Sequence, residues 1–210
     1  MARILIPDLC RLIPDMPAPR ILVVPGSARP GSDNARLAAL AAKELTFADA
    51  EVTRISLADY PMPLYDTAVE AVGGPPPNAL KLKRMIAAHH AVFLTTPELN
   101  ATVPPRLVNA IGWVSRVRER SDPPGGVLHG RVFALGSATP DSFGGVRALM
   151  VLRQMLEIGC GALVLPEQIA VPSSDRAFDE MDGLIDDDSA DLLRAIARRL
   201  VDLSRERMRA

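Results

Sequence analysis

A chain of 210 residues has the length of one α/β domain and is long enough to take about 70% of its unfolded surface out of water. Apolar residues make up 48% of it, an ordinary globular value that excludes an intrinsically disordered chain. With 24 Lys and Arg against 25 Asp and Glu the formal net charge is −1, so electrostatics favours neither nucleic acid nor an anionic membrane as partner.

Residues 1–19 read as an N-terminal extension to a domain over residues 20–210. The extension is apolar in patches but broken by Asp8, Arg11, Pro14, Asp15 and Pro17, so it lacks a signal-peptide core. No apolar run reaches the ~18 residues of a membrane span. Cys10 and Cys160 stand far apart, and His89, His90 and His129 form no ligand spacing with them. That usage gives neither a zinc site nor a disulfide framework and fits a reducing cytoplasm. Cys160, between Gly159 and Gly161, reads as a small buried hydrophobe.

Ile21-Leu22-Val23-Val24 is continuously apolar, as suits a parallel strand covered on both faces. Ser32 is an N-cap for a helix carrying Leu37, Leu40, Ala41 and Leu45. Val52 to Leu57 is the second strand. A long irregular segment with Pro61, Pro63, Gly73, Gly74 and Pro75 to Pro77 follows, and such segments are functional or mobile. A helix over Asn78 to Ala88 leads into the third strand, Ala91 to Thr95. Pro104 and Pro105 open a helix with Leu107, Val108, Ile111 and Val114 on one face. After the breaker Ser121 to Gly126 come a fourth strand, Arg131 to Leu135, a helix over Gly145 to Ile158, and a fifth strand, Ala162 to Leu165. Leu192, Leu193, Ile196, Leu200 and Leu203 mark a closing helix. Strands alternating with helices predict a doubly wound parallel sheet.

In such sheets ligands bind beyond the carboxyl ends of the strands, where strand order reverses. Three loops leave those ends. Gly26-Ser27-Ala28-Arg29-Pro30-Gly31-Ser32-Asp33-Asn34 offers hydroxyls, an amide, a guanidinium and free N–H groups at a helix start, the parts a phosphate monoester needs. It is neither a P-loop nor a Gly-x-Gly-x-x-Gly fingerprint; read alone, it is equally a capped turn with an exposed arginine. Thr95 to Pro104 is stiffened by Pro97 and Pro104, so its amides can read the edge of a flat heteroaromatic ring. Trp113 reads as a core residue. Gly136 to Gly145 carries Ser137 as a donor and permits close backbone approach at Gly144.

Together these loops resemble the NADPH-dependent FMN reductase family of flavodoxin-like quinone, azo and chromate reductases. The likeness runs from about Arg20 to Arg207 and rests on Gly26 to Asn34, Thr96-Pro97-Glu98-Leu99-Asn100, Pro104 to Trp113, and Gly144-Gly145-Val146-Arg147-Ala148. It implies a five-stranded sheet of order 2-1-3-4-5 with helices on both faces. It further implies that Ser27, Arg29, Ser32 and Asn34 enclose the FMN phosphate, that Pro97, Glu98, Leu99 and Asn100 lie along the isoalloxazine, and that Ser137 and Gly144 close the other side. NADPH or NADH would supply hydride, a quinone, azo compound, metal oxyanion or free flavin would accept electrons, and the enzyme would be a cytoplasmic homodimer or homotetramer. The chain departs from the family at Leu99, where a Tyr is usual, and at Gly112, where an Asp is usual. The other readings of the fold are a specialised reductase such as one acting on organoarsenicals, a flavodoxin-like electron carrier, and a flavin-free binding or scaffold protein.

Overall fold

The computed structural model describes residues 17–27 and 29–209; the extension over residues 1–19 therefore falls mostly outside the described residues. Five strands, β1 (Arg20–Pro25), β2 (Glu51–Arg54), β3 (Ala91–Thr95), β4 (Val132–Ala138) and β5 (Leu163–Val171), form one parallel sheet of order 2-1-3-4-5. Six α-helices accompany them: α1 (Asp33–Phe47), α2 (Thr67–Gly73), α3 (Pro77–Ala87), α4 (Pro105–Arg116), α5 (Val146–Gln154) and α6 (Asp187–Arg209).

Side-chain alternation along the inner strands divides the core in two. Ile21, Val23, Ala91, Phe93, Val132 and Ala134 pack against α1 and α6. Leu22, Val24, Val92, Leu94, Phe133 and Leu135 pack against α3, α4 and α5. Both faces are therefore dry, which is why these strands read as continuous apolar runs rather than alternating ones. The helix that follows β1 lies on one face and the helix that follows β3 on the other, and β1 and β3 are neighbours. Their carboxyl ends thus flank the point where the winding reverses.

Four boundaries differ from the sequence reading. β2 stops at Arg54, because Ser56 accepts the Ala58 N–H and starts a 3-10 turn over Leu57–Asp59 that buries Leu57. The Pro- and Gly-rich segment is not wholly irregular: Asp66 caps α2 by accepting the Ala68 N–H at 2.6 Å. α5 ends at Gln154 and continues as a single π turn, Met155–Gly159. β4 runs three residues beyond Leu135, since Gly136, Ser137 and Ala138 pair with Ile169, Ala170 and Val171 of a β5 longer than expected. That last difference moves Ser137 out of a loop and into the sheet.

Candidate flavin site

Three segments meet at the carboxyl edge of the sheet, and backbone bonds hold them in register. The Gly26 N–H donates to the Thr95 carbonyl at 2.6 Å, and the Thr96 N–H donates to the Gly136 carbonyl at 2.9 Å. A Cβ on Gly26 would sit 2.6 Å from the Thr95 oxygen and 2.9 Å from Leu107. Any side chain there would push the β1–α1 turn off β3, so the glycine is required by close approach.

Within that turn the expected residues divide into two kinds. Ser27 is half-buried and Arg29 is exposed. Ser27 Oγ accepts the Arg29 N–H at 3.3 Å, and among the described residues Arg29 has no ion-pair partner. Ser32 and Asn34 are engaged inside the fold. Ser32 caps α1 by accepting the Ala35 N–H. Asn34, 3% exposed, donates Nδ2 to the Ala138 carbonyl at 2.7 Å and accepts the Ala138 N–H on Oδ1 at 3.1 Å. Its own carbonyl accepts the Thr95 hydroxyl at 2.9 Å. One side chain therefore ties the start of α1 to the end of β4.

The β3–α4 segment is a rigid finger. Leu99 and Thr102 exchange backbone bonds at 3.0 Å in each direction. Between them Asn100 (φ 50°) and Ala101 (φ 59°) are both left-handed, as in a two-residue type I′ turn. Asn100 tolerates this region far better than Ala101 does. Leu99 is 50% exposed, an apolar side chain presented to solvent beside the finger.

Glu98 is neither a surface acid nor a free ligand group. Its carboxylate is 3% exposed, forms an ion pair with Arg147, and accepts the Ala148 N–H at 3.2 Å in the first turn of α5. The helix dipole and the guanidinium together balance a buried charge. Arg147 also lies 4.4 Å from the Phe143 ring and 3.7 Å from Asp141. In the sequence Arg147 stands out only as part of a family-like stretch; its place two residues beyond Gly145, in the first turn of α5, is the signal that marks it.

Ser137 is fully buried and donates its hydroxyl to the Thr96 carbonyl at 2.6 Å. Gly144 (φ 60°) lies so close to the end of β5 that a Cβ would meet backbone atoms of Ala170, Val171 and Pro172 at 2.9 Å. Gly145 (φ 83°) is the N-cap of α5, and a Cβ there would overlap the Ser137 hydroxyl. Trp113 is fully buried and donates Nε1 to the Pro63 carbonyl at 2.8 Å. Tyr65 packs edge-on against it at 5.1 Å. Gly112 faces that same Tyr65 ring, so the second departure from the family pattern lies within α4 and beside the Tyr65–Trp113 pair.

The donor set suits FMN. A hydroxyl, an arginine without an acid partner and the N-terminus of a 15-residue helix converge on one turn. The one acid in the first turn of α1, Asp33, accepts the Ser174 hydroxyl at 2.6 Å. Among the described residues no His, Cys, Asp and Glu cluster offers a metal site, and no helix is long and apolar enough to cross a membrane.

The sequence profile of the NADPH-dependent FMN reductases matches residues 19–176. The chain is 34% identical over 176 residues to an NAD(P)H-dependent FMN reductase of Pseudomonas aeruginosa, covering 83% of this chain and 89% of that one. It is 33% identical over 138 residues to a quinone reductase of Escherichia coli strain K12, covering 65% and 69%. Among solved structures, the flavoenzyme NAD(P)H:(acceptor) oxidoreductase FerB from Paracoccus denitrificans superposes with a TM-score of 0.73 at 24% identity, over 90% of this chain and 98% of that one. RosB, solved with a formylated riboflavin phosphate intermediate, superposes with the same TM-score at 14% identity, over 92% and 81%. This chain belongs to the NADPH-dependent FMN reductase family, oxidoreductases that use FMN and draw electrons from NAD(P)H.

Proposed function

We propose that the FMN phosphate rests on Ser27, Arg29 and the N-terminal amides of α1, with the isoalloxazine lying along Pro97 to Asn100 and Gly144 on its far side. In this reading Ser32, Asn34 and Ser137 hold the backbone of the site, and their side chains do not touch the cofactor. The observation that carries it is Arg29, exposed and without an acid partner among the described residues, four residues before the capped start of α1 at Asp33. A dianionic phosphoryl group satisfies both at once.

FMN bound there would supply the redox chemistry, carrying electrons from the nicotinamide to a small acceptor such as a quinone, an azo compound, a metal oxyanion or free flavin. The chain's own residues bind and orient. Arg29 and the α1 dipole fix the phosphate end. The paired bonds of the Leu99–Thr102 turn fix the finger, so its free amides would be held in place for a ring bound there. Arg147 neutralises Glu98, which keeps an uncompensated negative charge away from a ring that becomes more negative on reduction.

Leu99, Phe143 and Met150 are exposed apolar side chains, and we assign them to subunit contact in a homodimer or homotetramer. A cytoplasmic location matches the need for reduced nicotinamide. The test is anaerobic mixing of the FMN-loaded protein with NADPH or NADH. Bleaching of flavin absorbance, followed by reoxidation on addition of a quinone, supports a reductase. A flavin that binds but is not reduced by either nicotinamide contradicts it.

A further inference from the structure

At the opposite edge of the sheet, where the strands begin, the molecule carries a second concave surface. A cleft of about 460 Å3 is lined by His90, His129, Arg131 and Arg207, with Pro123 and Met208 as apolar walls. His90 precedes β3, Arg131 precedes β4, and Arg207 lies in the last turn of α6. Among the described residues no carboxylate lines it. Strands of five to seven residues at roughly 3.3 Å each place it about 17–23 Å from the flavin loops.

Three observations set this cleft apart from a solvated basic face. The first is Arg131. One Nη bonds the His89 carbonyl; among the described residues its buried Nε–H has no acceptor and no carboxylate forms an ion pair with it. Burial lowers its pKa, and the Arg207 charge lowers it further. A half-buried guanidinium with a second cation beside it is unfavourable until an anion faces the pair.

The second is His90. Its Nδ1 accepts the Arg20 N–H at 2.8 Å, so the neutral ring carries its proton on Nε2 as a donor. Burial first, then the charges of Arg20, Arg131 and His89, push its pKa below 6.5, and only Glu51 opposes them. The third is His129, whose ring is seated between Gly125 and Gly161. A Cβ on either glycine would lie 2.6 or 2.5 Å from ring carbons, and both have positive φ. Two side-chain-free backbone positions thus fix an imidazole at the rim of a basic cleft.

We propose that this cleft binds a small polyanion of the phosphate-ester or polyphosphate class, independently of the flavin. The Arg207 guanidinium, the remaining Nη donors of Arg131 and the Nε2–H of His90 are groups suited to phosphoryl oxygens. A singly charged ligand would leave one arginine unbalanced, so a ligand with at least two charges fits better.

Pyrophosphate is the probe, titrated into the FMN-loaded full-length protein while imidazole 15N and 1H resonances and flavin absorbance are followed together. Saturable shifts of His90 and His129, a raised His90 pKa and unchanged flavin absorbance support the proposal. Arg207→Gln, a change at an exposed residue, should weaken binding about tenfold or more, and Arg131→Gln should weaken it further. Shifts that do not saturate, equal affinity in Arg207→Gln, or release of FMN with the His90 and His129 signals unmoved would each overturn it. The same titration of FMN-free protein should give the same affinity, so loss of flavin binding would not bear on this site.

Discussion

The side-chain amide of Asn34 mimics a peptide group toward Ala138, donating at 2.7 Å and accepting at 3.1 Å across 104 residues of sequence. Both residues are buried, so the pair closes α1 onto the end of β4 without water. Asn34→Ala leaves a buried N–H and C=O unpaired, which costs about 1–3 kcal/mol per group. Chemical denaturation should show a loss of at least about 2 kcal/mol, and FMN affinity should fall because the phosphate turn loses its anchor. Unchanged stability would mean that water replaces the amide.

Gly145→Ala should be strongly destabilising, because the residue has φ 83° and an added methyl would overlap the Ser137 hydroxyl. Adding Ser137→Gly removes that overlap but keeps the backbone strain and exposes the Thr96 carbonyl. The double variant should therefore recover part of the loss. Melting temperatures of the two singles and the double form the cycle that checks this. Full additivity would contradict direct contact between the two positions.

The architecture was legible because physics repeats along the chain. Continuous apolar strands between amphipathic helices require a sheet covered on both faces, and Gly26, Pro104 and Ser32 mark turns by local rules. What could not be read was how polar side chains share partners across distance. Asn34 and Ser137 bond to the carbonyls of Ala138 and Thr96, which lie 104 and 41 residues away and which no local rule predicts. Glu98 meets Arg147 and the start of α5 across about fifty residues. The α2 cap at Asp66 was local, but the surrounding prolines and glycines masked a seven-residue helix that buries none of its residues.

The Lys83 ammonium is buried with Asp122 and Glu119 beside it, tying α3 to the segment after α4. Lys83→Met leaves Asp122 buried without its cation and should cost about 3–5 kcal/mol, read by urea denaturation. Methionine tolerated without loss would show that Asp122 reorients to solvent.

Hydrogen bonds from Arg84 and then Lys83 hold the Glu119 carboxyl down at about 2, against an ordinary 4.5. A depressed carboxyl contributes stability that is present above its unfolded pKa and lost as pH falls through the folded one. Stability should therefore drop between pH 4.5 and about 2. Glu119→Gln should flatten that part of the profile. A wild-type melting temperature constant across this window would contradict the assignment.

The central claim is tested most directly by comparing FMN with riboflavin, which lacks the phosphate, in wild type and Arg29→Ala. Charge-assisted bonds to a phosphoryl group are worth about 1.5–3 kcal/mol each, so wild type should bind FMN at least about tenfold more tightly than riboflavin. Arg29→Ala should erase most of that preference while leaving riboflavin affinity and the melting temperature of the flavin-free protein unchanged. Equal affinity of the wild-type protein for the two flavins, or an FMN preference untouched by the substitution, would place the phosphate elsewhere.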